Sequence, residues 1–93
     1  MSRATITQLV HGAKVVAAEL GAEQGVYCYG GAIAVPIGNG WSLAISADYA
    51  ERLRIDACLD GRVVASMWSF AGDDDRLAEL VALARDEAAA LAA

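Results

Sequence analysis

The chain has 93 residues, 57% of them hydrophobic and only 20% charged. That balance excludes intrinsic disorder, and the length allows one domain over residues 1–93. The net charge of −5 opposes a phosphate backbone, so direct nucleic-acid binding is not expected. The whole excess lies in residues 48–93, where five Arg face ten Asp and Glu, while Arg3 and Lys14 cancel Glu19 and Glu23 in residues 1–47.

Residues 5–20 carry apolar positions at helical spacing: Ile6, Leu9, Val10, Ala13, Val16, Ala17 and Leu20, one stripe of an amphipathic helix. Thr5 with Gln8 fits a capping box and Gly21 a C-terminal stop. His11 falls opposite the stripe, towards water. Gln8, His11, Lys14 and Glu19 interrupt this apolar run, so no secretory leader is expected. No stretch approaches the roughly 18 apolar residues of a membrane span. A cytoplasmic location with reduced thiols follows as the expectation.

Residues 25–70 switch to alternation, the mark of strands with one buried and one open face. A three-residue loop at Gly38–Gly40 pairs Ile37 with Trp41, Val35 with Leu43 and Ile33 with Ile45. Asp60-Gly61 signals a two-residue turn that sets Ala57 opposite Val64, Ile55 opposite Ser66 and Leu53 opposite Trp68. Gly30-Gly31 permits a tight turn pairing Val26 and Cys28 with Val35 and Ile33. A five-residue loop, 48–52, joins Ala47 to Leu53. Pro36 then lies opposite Gly25, where the first strand is only starting and a missing N–H costs little.

Residues 74–91 repeat the helical pattern through Leu77, Leu80, Val81, Ala84, Ala88 and Leu91. The expected fold is α+β: an N-terminal helix, a five-strand antiparallel meander and a C-terminal helix, with both helices on one face of the sheet. The uncovered face would then present Tyr27, Tyr29, Ala32, Ala34, Ser42, Ala44, Ser46, Arg54, Asp56, Cys58, Val63, Ala65 and Met67. Trp41 and Trp68 are expected on the inner face beside the helices.

Catalytic and cofactor motifs are not found. The single His11 falls on the exposed face of the first helix, and neither Cys28, expected inward, nor Cys58, expected outward, has an obvious base. Cys28 and Cys58 are assigned to opposite faces, so no bond between them is expected, and two cysteines with one histidine are too few for structural zinc. Gly38–Gly40 leads into a strand, so it is a hairpin and not a dinucleotide loop. Asp73, Asp74 and Asp75 lack the calcium-loop pattern and suit the positive end of a helix dipole. No cofactor and no metal are therefore expected.

The surplus of apolar residues and the open face point to a non-enzymatic protein–protein interaction module. Tyr27, Tyr29 and Arg54 are the candidate anchors, and Asp60, Asp73, Asp74 and Asp75 the candidate steering charges for a larger basic protein. The partner could also be a second copy of the chain. By analogy of size and acidity alone, the build matches inhibitors encoded by phages and mobile elements, anti-CRISPR proteins among them. The alternative is a small-ligand domain with a pocket between helices and sheet, lined by Trp41 and Trp68.

Overall fold

The computed structural model describes residues 2–92, and the side chains of Tyr29 and Ala92 lie outside the described residues. Helix α1, Ile6–Leu20, opens on a reciprocal cap. Gln8 N donates to Thr5 Oγ1 over 3.1 Å, and Thr5 N donates to Gln8 Oε1 over 2.8 Å. It closes where Gly21 turns left-handed at φ +64°. The buried side is Leu9, Gly12, Ala13, Val16 and Ala17, while Ile6, at the N-terminal end of the expected stripe, is exposed. Gly12 costs roughly 0.5–1 kcal/mol within a helix, but a Cβ there would run into Leu53 Cδ1. The glycine lets the helix settle directly on the sheet.

Strands β1 (Tyr27–Tyr29), β2 (Ala32–Gly38), β3 (Trp41–Asp48), β4 (Arg52–Leu59) and β5 (Arg62–Phe70) form one antiparallel sheet in chain order. Helix α2, Asp74–Ala92, follows, and Asp73 Oδ1 caps it by accepting from Arg76 N at 3.2 Å. The fold is thus α+β, helix, five strands, helix. Among the described residues no helix is long and apolar enough to cross a membrane.

The first hairpin follows the expected register at Cys28↔Ile33, although β1 begins only at Tyr27 and leaves Val26 unpaired. Pro36 packs on Gly25, whose missing Cβ makes room for its ring. The second hairpin keeps Val35↔Leu43 and Ile33↔Ile45 but reaches them differently. Its turn is two residues, Asn39 and Gly40, both at positive φ as a type I′ turn requires. Gly38 pairs with Trp41, and a bulge between Pro36 and Gly38 absorbs the odd residue. Turn chemistry sets the loop, and the bulge preserves the buried face. The third loop is also shorter than expected: Asp48 pairs with Arg52 across Tyr49–Glu51. Ser2, Ala4 and Ala71 brace this corner through backbone bonds to Glu51 and Asp48.

The last hairpin corrects the sequence reading. Asp60 and Gly61 make the expected turn with positive φ, and Leu59 pairs with Arg62. A register shift then leaves Val64 as an extra residue, so Ala57 pairs with Ala65, Ile55 with Met67 and Arg54 with Trp68. Ala65 and Met67 therefore belong to the inner face, and Ser66, Trp68 and Phe70 to the open one. The flip is chemically sensible. It gives the Ser66 hydroxyl and the Trp68 indole N–H carboxylate acceptors that an apolar inner face does not offer.

The core joins Leu9 and Val16 of α1 and Leu77 and Val81 of α2 to Val35, Leu43, Ile45, Leu53 and Ile55. Every strand member of this set points the same way, so both helices cover one face. Helix α1 lies over β2 and β3 beside α2, and α2 reaches the sheet near β5.

Candidate functional site

The uncovered face is built from cross-strand rows. One row runs Tyr27, Ala34, Ala44, Asp56, Ser66, and the next towards the hairpin tips holds Pro36, Ser42, Cys58 and Val63. Ala34 and Ala44 retain only 2% and 7% of their accessibility although no helix covers them. Small side chains sink between taller neighbours, and a hollow of about 350 Å³ forms over Ala34, Ala44 and Cys58 beside Tyr27 and Asp60. Large aromatics stand at both margins: Tyr27 on β1 is 49% exposed, and Trp68 and Phe70 on β5 are 44% and 63% exposed.

A polar cluster occupies the β4–β5 side. Arg54 Nε donates to Asp56 Oδ1 at 2.8 Å, and Ser66 Oγ donates to the same oxygen at 2.6 Å. The Arg54 guanidinium lies over the Trp68 ring, 5.8 Å from its centroid. Trp68 Nε1 donates to Asp48 Oδ2 at 2.8 Å, and Tyr49 N donates to Asp48 Oδ1 at 2.8 Å. The Tyr49 amide, then the Trp68 indole and the nearby Arg52 and Arg54, hold the Asp48 carboxyl below its ordinary 3.8. A depressed carboxylate pKa stabilises the fold above the unfolded value and loses that effect as pH falls through the folded one. Acidification through and below pH 3.8 should therefore move the Trp68 indole N–H resonance, and Asp48→Asn should abolish that movement. A resonance indifferent to acid in the parent chain would show that the bond is not made.

The candidate residues do not form one cluster. Tyr27 stands on the open face and, like Tyr29, pairs across to β2, at Ala34 and Ala32. Arg54 lies on the same face three strands away, about 15 Å at sheet spacing, and is held by Asp56 and Ser66. Asp60 sits at a hairpin tip beside the hollow. Asp73, Asp74 and Asp75 lie beyond the other end of β5, about 30 Å away for a nine-residue strand. Asp73 caps α2, and Asp74 Oδ2 accepts from His11 Nε2 at 2.8 Å, which leaves Asp75 with no ion pair among the described residues. Trp68 and Phe70 are the site residues that sequence reasoning missed. Their alternation was legible, but the bulge at Val64 that decides their face has no signature within an apolar run.

The two thiols are free, Cys28 exposed and Cys58 buried, and three strand positions separate them. Burial, then the neighbouring Asp56, pushes the Cys58 thiol up, which makes it a poor nucleophile at neutral pH. Among the described residues no three His, Cys, Asp or Glu side chains are grouped to hold a metal ion. Trp41 packs against the core and lines an apolar groove of about 390 Å³ between α2 and the inner face of the sheet, from Ile37 on β2 to Val64 and Met67 on β5, which Trp68 does not reach. Comparison with models of protein families, with curated proteins and with solved structures finds no match to this chain.

Proposed function

We propose that the chain is a small acidic, non-enzymatic interaction module whose uncovered sheet face docks on a larger basic protein, as a binding partner or an inhibitor. The observation that carries this reading is the aromatic margin of Tyr27, Trp68 and Phe70 around a floor of sunken small residues. Large rigid side chains beside a shallow hollow are the features that dominate interface energetics, and small floor residues let another backbone approach closely. The negative charge supports a basic partner and predicts association that slows with added salt. Asp60, at the edge of the hollow, is the acid best placed to act.

The test is parallel capture from native extract on the parent chain and on Tyr27→Ala/Trp68→Ala. The partner is a protein retained by the first and lost from the second, with a salt-dependent association rate. Identical proteins on both, or a rate indifferent to salt, would overturn the reading. The apolar groove beside α2 favours one alternative, a small apolar ligand, since its volume lies within the range of ligand sites. A bound mass in the native spectrum of the purified chain would select that alternative.

A further inference from the structure

The two edges of the sheet are unlike each other. The β1 edge is three residues long. The β5 edge is nine residues long, Arg62-Val-Val-Ala-Ser-Met-Trp-Ser-Phe70, with no proline, no lysine and one arginine at its start. Proteins ordinarily blunt an exposed edge with such residues, because its unpaired N–H and C=O groups template further pairing. Here β5 has a neighbour on one side only, β4.

We propose that β5 pairs antiparallel with β5 of a second copy about a two-fold axis, joining the two sheets into one of ten strands. Three observations select a second copy as the occupant. The first is area. Val63, Val64 and Phe70 on the strand and Leu83 and Leu91 on α2 are all exposed. Together they leave on the order of 500 Å² per chain, and covering them on both copies gives about 1,000 Å², the threshold of a specific interface.

The second is symmetry. A two-fold axis normal to the sheet keeps both helix layers on one side. Helix α2 returns over β5 after a short turn, and Leu83 lies at the middle of α2 as Ser66 lies at the middle of β5. Leu83 lines the groove with Val64 and Met67, so the Leu83 end of each copy's groove lies nearest the axis. The third is charge. An axis at Ser66 or Met67 carries Arg62 of each copy to the far end of the other strand, beside its Asp73–Asp75 turn. Arg62 pairs with Leu59, an inward position, so it reaches towards the helix side where that turn lies. Neither Arg62 nor Asp75 has an ion-pair partner among the described residues.

Sedimentation equilibrium of the parent chain should give twice the mass of one chain, with a Kd of about 10 µM or lower. Val64→Lys and Phe70→Lys should each weaken association at least tenfold. Arg62→Asp should weaken it and Arg62→Asp/Asp75→Arg restore it. Hydrogen exchange of the parent chain checks the site without any substitution: β5 amides should slow as concentration rises. A parent chain of single mass, a dimer that persists in both lysine variants, or concentration-dependent protection confined to other strands would each overturn the proposal, as would a small bound mass in place of a doubled one. Tyr27→Ala, on the opposite edge, should leave the dimer intact, so failure of this proposal and failure of the open-face reading are distinguishable.

Discussion

Replacing Ile55 with alanine is expected to cost about 2–5 kcal/mol of folding stability, and Leu43→Ala a similar amount. Both side chains are fully buried at the centre of the sheet, between the strands and the two helices. Truncation there loses transfer free energy and leaves a cavity that the sheet and the helix layer cannot fully close. A domain of this size has only about 5–15 kcal/mol in total, so either change should lower the melting temperature by roughly 10 °C or more. The denaturant midpoint should fall while the slope stays unchanged. Val10→Ala, on the exposed flank of α1, is the control and should stay within about 0.5 kcal/mol. An Ile55→Ala chain as stable as the parent would mean that the helices do not pack on this face.

The opposite contrast is expected on the uncovered face. Tyr27→Ala/Trp68→Ala should weaken association with the partner by about 2 kcal/mol or more, roughly 30-fold. Its effect on folding should be small. Neither side chain lies under a helix, and Asp48 keeps the Tyr49 amide when the indole is removed. A loss of stability as large as that of Ile55→Ala, with binding by the folded fraction unchanged, would place the two aromatics in the core and the interface elsewhere.

Much of this architecture was legible because two periods, 3.6 and 2, divide the chain cleanly. The capping box at Thr5 and Gln8, the stop at Gly21 and the turns at Gly30-Gly31 and Asp60-Gly61 are local chemistry, and local chemistry is written in adjacent residues. The faces of β2, β3 and β4 followed because each alternates large apolar with small or polar side chains. Two bulges were not legible. At Ile37 the bulge changed the loop but not the faces, because it compensated a shorter turn. At Val64 nothing compensated it, and every later side chain of β5 changed sides. Val63, Val64 and Ala65 are all apolar, so alternation carries no phase through them. The partners that resolve the phase, Asp48 and Asp56, lie ten or more residues away. The candidate site was therefore half visible: Tyr27 and the small-residue floor could be read, while Trp68 and Phe70 depend on contacts between strands.

The helices and turns of the acidic half show the same division. Three aspartates before α2 were recognisable as a helix start, and one of them does cap it. That Asp74 would meet His11 of α1 is a consequence of how the helices lie together, which no spacing within either helix encodes.

Side-chain oxidative footprinting of the chain, alone and in complex with its captured partner, tests the open-face claim most directly, because it reports individual side chains and not backbone. Docking on the open face predicts strong protection of Tyr27 and Trp68 in the complex, with Ile6 and Val10, exposed on α1, oxidised as fast as before. Unchanged oxidation of Tyr27 and Trp68 alongside protection of Ile6 or Val10 would place the partner on the helices and contradict the account.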